Sequence, residues 1–412
     1  MIGELDFAWM EEVERSVRPA LEEIDRLIDR NQLKVLSAFA GAKVGDAHLF
    51  GSTGYGLGDR GREQLDAVFA AAFGAQAGLV RPSLASGTHA LAAAYFGLLR
   101  PGDTLLYATG APYDTLETVI GLRGAGMGSL REFGIEYRCV ELASDGGVDV
   151  DAVLAALDGR VRVVAFQRSA GYRWRRALRI AELGRAIAAV KAARPDVWTV
   201  VDNCYGEFTD TAEPSAVGAD LTVGSLIKNP GGGLAPTGGY MVGAADAVER
   251  ASYRVTAPGV GAEMGSHEQY RLYFQGLFMA PHTVGQALKG NVFAAAAFTR
   301  AGIDCAPGPD EERADSVLRI RLGTAERLVA FCQAIQQASP IDAHVAPEPG
   351  QMPGYGDPVV MAAGAFVQGS TSELSADGPL RDPYIAYLQG GLTYSHVKIA
   401  VTRALKRLGL LP

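Results

Sequence analysis

The stretch Val161–Asp202, VRVVAFQRSAGYRWRRALRIAELGRAIAAVKAARPDVWTVVD, sets two short apolar runs, VRVVAFQ and VWTVVD, on either side of a helical pattern, RIAELGRAIAAVKAA. Runs of this length bounded by polar residues read as buried strands, and the apolar spacing between them reads as a helix. A strand, a helix and a second strand in that order make a parallel pair with a crossover. The same alternation extends outward. DTLLYA and IEYRCVEL precede it and DLTVGS follows, all reading as strands, with helical runs at REQLDAVFAAAF and HALAAAYFGLL. The expectation is an α/β domain whose mostly parallel sheet is covered by helices on both faces.

Beyond residue 294 the alternation weakens, with Pro-rich patches at Cys305–Asp315 and Ala346–Pro358. SVLRIRLGTAERLVAFCQAI, VVMAAGAFVQ and the closing YSHVKIAVTRALKRLGLL supply enough apolar residues for a smaller α+β domain. Ahead of residue 51, Leu21, Ile24, Leu27 and Ile28 recur at helical spacing and need a surface to cover them, another subunit being one solution. The organisation expected is a helical arm (1–50), a large domain (51–293) and a small C-terminal domain (294–412).

Composition narrows the function. Of 412 residues, 48% are hydrophobic and 20% charged, ordinary values for a globular protein, and the net charge of -8 is interspersed. No basic stripe is available for nucleic-acid phosphates. The acidic start has no basic segment leading into an apolar one, and no run reaches the ~20 apolar residues of a membrane span. Cys139, Cys204, Cys305 and Cys332 stand far apart and the six histidines are scattered, so neither a disulfide framework nor a metal site is expected. The expected setting is the cytoplasm.

In α/β sheets ligands gather at the carboxyl ends of the strands. Asp202 ends one apolar run, and Ser225 and Lys228 follow another in GSLIKNPGGGLAPTGGY, Gly224–Tyr240. Each has a plainer role alone, the aspartate as a turn cap and the lysine as a solvated surface group. Together, an acid and a lysine on neighbouring strand ends suit pyridoxal phosphate: the amine forms an imine and the carboxylate pairs with the pyridinium nitrogen. Ser86, Gly87 and Thr88 open an apolar helix whose N–H groups would hold a phosphate, although the same residues also make a common N-cap. Tyr113, in a turn after a strand, offers an aromatic face and a hydroxyl, or is simply a buried turn tyrosine.

These segments, with QGLFMAPHTVGQALKG and FVQGSTSELSADGPLRDPYIAYLQGGLTYSHVKIA, resemble the methionine gamma-lyase-like family, some of whose members are called aluminium resistance proteins. The resemblance runs from about Gly51 to the C-terminus. It implies the fold-type-I architecture of pyridoxal phosphate enzymes, with Lys228 as covalent anchor and base, Asp202 on the ring nitrogen and Tyr113 stacked on the ring. Gly87, Thr88 and Ser225 would bind phosphate, and Gln167 would touch the ring hydroxyl. Tyr55 resembles a tyrosine that crosses to a neighbouring subunit's phosphate; the arginine two residues on in relatives is Leu57 here, so Arg60 or Arg62 must substitute or the contact is absent. Arg381 is the candidate clamp for the substrate carboxylate, its guanidinium fork matching that group. His267 and Glu268 fall in a segment expected to approach the active site.

The resemblance implies a β- or γ-eliminating lyase acting on an L-amino acid, a sulfur amino acid such as methionine or cystathionine most simply, working as a homodimer or homotetramer. Loss of another leaving group such as halide, an aminotransferase, and a non-catalytic nucleotide binder are the alternatives. The last lacks support, since no G-x-x-x-x-G-K-[ST] occurs and Lys228 precedes its glycines.

Overall fold

A computed structural model describes residues 6–124, 126–352 and 355–411; the first five residues of the arm and positions 353–354 of the second Pro-rich patch lie outside the described residues. The apolar runs become β1 (Ala77–Arg81), β2 (Thr104–Tyr107), β3 (Glu136–Cys139), β4 (Val161–Gln167), β5 (Trp198–Asp202), β6 (Leu221–Ser225) and β7 (Gly239–Gly243). They form one sheet in the order β1-β7-β6-β5-β4-β2-β3. From β3 to β6 every pairing is parallel, whereas β7 runs antiparallel to both its neighbours. The reason for the reversal is local. The prolines and glycines of Leu226–Gly238 cannot form the crossover helix that a parallel return requires.

Period-2 alternation feeds two cores. Leu105, Val163, Ala165 and Val200 face one layer with α4 (Gly87–Leu98) and α8 (Ala245–Val255). Their chain neighbours Leu106, Val164, Phe166 and Val201 face the other, with α7 (Ile180–Ala193).

The small domain is an antiparallel sheet of β8 (Cys305–Ala306), β9 (Val317–Arg321), β10 (Val359–Ala362), β11 (Ser375–Pro379) and β12 (Ile385–Gln389), in the order β10-β11-β12-β9-β8. One core cluster joins this sheet to α10 (Ala325–Gln337) and α11 (Tyr394–Arg407), and through α9 (Arg271–Arg300) to the large domain. The boundary expected at residue 294 therefore falls inside a continuous helix.

The arm, α1 (Phe7–Ser16) and α2 (Arg18–Gly41), covers its apolar stripe on this same chain, with Leu21 and Ile24 buried in the core cluster that contains α9. Polar contacts fix its position. The buried Asn31 donates to the carbonyls of Phe208 at 3.0 Å and Asp210 at 3.1 Å, and Glu14 pairs with Lys398 at 2.7 Å. Another subunit is not needed to cover this stripe.

The glycines after Lys228 meet α9. A Cβ on Gly231 would lie 1.7 Å from the Leu226 carbonyl oxygen, and one on Gly276 of α9 would lie 2.3 Å from the Gly231 carbonyl oxygen. What these glycines admit at this point is a helix backbone. Because the obstruction is backbone, no rotamer change relieves it. Gly231→Ala is expected to cost at least about 1–3 kcal/mol, measured as a lower urea midpoint than that of the wild type.

Candidate active site

Where the carboxyl ends of β4, β5 and β6 meet the small sheet there is a cavity of about 320 Å³. Ser86, Gly87, Thr88, Tyr113, Gln167, Asp202, Ser225 and Lys228 all line it. Gly87 and Thr88 are the first residues of α4, so their N–H groups have no partner within the helix, and Ser86 caps it by accepting from the His89 N–H at 3.1 Å. A Cβ on Gly87 would stand 3.1 Å from Cys204 Sγ and 3.4 Å from Ser225 Cβ, so a side chain here would crowd the cradle and push those neighbours by a few tenths of an ångström. Thr88 Oγ1 lies 2.9 Å from the Tyr113 hydroxyl, and the Tyr113 N–H donates to Gln167 Oε1 at 3.0 Å. Gln167 Nε2 is bonded to the Ser169 carbonyl, so its amide holds the tyrosine turn in place.

The turn after Asp202 holds a residue that local reasoning passed over. Tyr205 adopts φ 72° and Phe208 φ 60°, left-handed values that cost a non-glycine residue of order 1–3 kcal/mol. The strain places the Tyr205 ring under Lys228, whose Nζ sits 3.9 Å from the ring centroid. Buried polar groups hold the turn. Arg168 Nη1 donates to the Gly206 carbonyl and to Asn203 Oδ1, Asn229 Nδ2 donates to the carbonyls of Tyr205 and Glu207, and Glu213 accepts from Asn203 and from the Phe208 N–H. The sequence signal available was a tyrosine and a glycine, in CYGEF, directly behind a strand-end acid.

Electrostatics concentrate here. Desolvation in the cavity opposes charge on Lys228, but the surrounding Cys204, Tyr205, Asp202 and Tyr113 outweigh it and hold the ammonium well above its usual range. Burial raises Asp202, against the pull of the Lys228 charge and the Cys204 N–H. Desolvation and the Asp202 charge push the Tyr113 hydroxyl well up, so it is protonated at neutral pH and able to donate.

Other sequence candidates lie elsewhere. Arg381 does not line the cavity; it is exposed, pairs with Asp357 at 3.1 Å and donates to the Tyr172 carbonyl. Arg62 is buried and donates to the carbonyls of Gly56, Glu263 and Gly265, which commits it to pinning the Tyr55 loop. Arg60 is exposed, and so is Tyr55, at 73%. His267 and Glu268 do not line this chain's cavity. Their carbonyls bond the N–H groups of Ser52 and Gly51, and the His267 ring packs on Tyr270 and Tyr273.

The small domain contributes Tyr355, Asp377, Tyr387 and Gln389, none of which carries a local sequence signal. Among the described residues no helix is long and apolar enough to cross a membrane, and no group of His, Cys, Asp or Glu is placed to hold a metal ion.

A model of the family described as methionine gamma-lyase matches residues 7–409. The chain is 51% identical over 409 residues to the uncharacterized protein YnbB of Bacillus subtilis, covering 98% of this chain and 97% of that one. It is also similar to the crystal structure of a carbon-sulfur lyase involved in aluminum resistance from Clostridium novyi, with a TM-score of 0.94, 48% identity and coverage of 98% and 96% of the two chains. The pyridoxal-5'-phosphate dependent protein YhfS from Escherichia coli shares the fold, with a TM-score of 0.62 at 18% identity and coverage of 93% and 96%.

Behind the site, burial pushes Glu207 from 4.5 up to about 8, with the Glu213 charge adding to the rise and the Tyr240 hydroxyl opposing it. Its proton is retained in the native state where the unfolded chain has lost it, so this group withdraws stability as pH rises from about 5 to about 8. Glu207→Gln keeps an acceptor for Tyr240. The variant is expected to be more stable than the wild type at pH 8, by up to a few kcal/mol, with the advantage gone at pH 5 in parallel urea titrations.

Proposed function

The chain belongs to the methionine gamma-lyase family, of the fold-type-I pyridoxal phosphate enzymes, and from that premise we propose that it eliminates a substituent, a sulfur one most simply, from Cβ or Cγ of an L-amino acid. The observation that carries the proposal is the convergence of Lys228, Asp202, the α4 N-terminus and Tyr113 on one cavity at the strand ends. The residues fit the cofactor: free N–H groups at a helix start for its phosphate, a buried acid for its ring nitrogen and an amine for its aldehyde.

Bound there, pyridoxal phosphate supplies an electron sink conjugated to the substrate's Cα. Gly87 and Thr88 would hold the phosphate through their N–H groups, and Ser225 through its hydroxyl. Asp202 would pair with the ring nitrogen and favour its protonated form. Lys228 would hold the aldehyde and serve as the base for the substrate's Cα proton. For a γ-substituent it also takes a proton from Cβ. Tyr113 would cover the ring and, being protonated, could donate to the departing sulfur. The small domain walls one side of the cavity, which limits the water that reaches these groups.

The proposal includes at least a homodimer in the cytoplasm. Exposure of Tyr55 supports its reaching a neighbouring subunit, with Arg60, unlike Arg62, free of the buried contacts that would hold it back. A tetramer follows by analogy with relatives.

Borohydride reduction of the yellow protein should bleach it and leave the cofactor on the peptide containing Lys228; a colourless protein that cannot be reconstituted would sink the proposal. In the same preparation, thioether amino acids are expected to release keto acid, ammonia and thiol. Lys228→Ala should abolish this release, and Tyr113→Phe should lower kcat by about 10²–10⁴ with the cofactor still bound.

A further inference from the structure

We propose that the small-domain wall of the cavity is a subsite for a cationic nitrogen on the substrate's side chain, so that preferred substrates are L-amino acids carrying a second amine beyond the bond that breaks. The inference rests on the elimination proposed above and deepens it.

The wall is a patch of sheet. Ser375 pairs across the strands with Gln389, and Asp377 with Tyr387. Residues two apart share a face, so all four present one surface, and all four line the cavity. At its centre Asp377 is 8% exposed; Gln389 Nε2 donates to its Oδ2 at 3.0 Å, while Oδ1 is buried with no well-formed hydrogen bond, the Tyr172 hydroxyl being the group beside the carboxylate. The hydroxyls of Ser370, Thr371 and Ser375 are likewise buried and unpartnered. A buried acceptor left unmatched costs free energy that a ligand's donor recovers.

Three observations favour a cation. The first is the charge of the lining. Among the described residues it carries Asp114, Asp202 and Asp377 against Lys228, with no arginine. Arg319, opposite Tyr387 on β9, is tied to Asp315 at 2.6 Å and so is not available to Asp377. The second is aromatic. Tyr172 packs on Tyr387 with centroids 4.9 Å apart and on Tyr355 at 5.6 Å, and all three rings line the cavity. Ring faces beside a carboxylate attract an ammonium group. The third is division of labour. Lys228 has Asp202 and the Tyr205 ring close by and acts on Asp377 only as the weakest of its influences, so among the described residues Asp377 has no ion-pair partner of its own. Burial also pushes Asp377 up to about 7, against the nearby Tyr172 hydroxyl, Gln389 amide and Lys228 charge; an arriving ammonium would favour its ionised form. The substrate's own α-amine cannot be that cation, since it is committed to the cofactor.

L-Lysine and L-norleucine differ by one terminal amine and carry no leaving group, so they test the subsite apart from turnover. Titrated into wild-type holoenzyme by calorimetry, lysine is expected to bind about tenfold or more tighter, as a hydrogen-bonded charge requires. In Asp377→Asn the ratio should fall toward one. Equal binding of the two in the wild type, or a ratio retained in a folded Asp377→Asn, would overturn the subsite. Keto-acid release from S-propyl-L-cysteine and S-(2-aminoethyl)-L-cysteine separates the two proposals. Release without any lysine preference removes the subsite and leaves the elimination standing. Release from neither of these nor from L-methionine, whose sulfur sits on Cγ, removes the elimination, and the lysine-to-norleucine ratio still decides the subsite.

Discussion

The site depends on the clamp around Asn203–Phe208. Arg168, fully buried, spends its guanidinium on Asn203, the Gly206 carbonyl and Thr209, and Asn229 and Glu213 complete the hold. A buried charge is tolerated only when its donors are matched, and here three of the matching acceptors, two side-chain oxygens and one carbonyl, belong to the single segment Asn203–Thr209. Two left-handed non-glycine residues persist there because the surrounding bonds over-determine them. The arm reaches the same turn through Asn31, and the small domain reaches it through Ser316, whose N–H donates to the Tyr205 carbonyl. Arm, large domain and small domain thus converge on the backbone that positions Tyr205 beneath Lys228.

Around that clamp the chemistry is divided between two sheets. The parallel sheet contributes the groups suited to a cofactor, because parallel strands all end at the same edge and present their terminal residues together. The antiparallel sheet contributes a wall through alternate residues of β11 and β12, which gives it a pattern of side chains but no backbone end. The cavity between them is lined on one side by an acid in the field of a lysine, and on the other by an acid with an oxygen that lacks a well-formed hydrogen bond.

Legibility follows the same division. Asp202, Ser225 and Lys228 were readable because each stands at or just after the end of an apolar run, and Ser86–Thr88 because a helix start has a local signature; Gln167 came from the resemblance, and it too ends a strand on the cavity. Tyr205 was missed because nothing local marks a strained φ on a tyrosine. Arg381, Arg62, His267 and Glu268 were placed by resemblance to a pattern, and the contacts they make here are with Asp357, backbone carbonyls and the Phe50–Ser52 segment. The glycines after Lys228 meet α9, whose Gly276 lies far along the chain, so their packing partner could not be read locally.

The sequence by itself determined the alternation of strands and helices, the run of strand-end groups and the helix start that face one edge of the sheet, since periodicity and turn chemistry act over a few residues. Only the tertiary structure decided which residues of the small sheet face that edge, where the arm docks and which arginines are left free. Those outcomes depend on strand register and on backbone contacts between distant segments, where a one-residue slip reverses the face of every side chain.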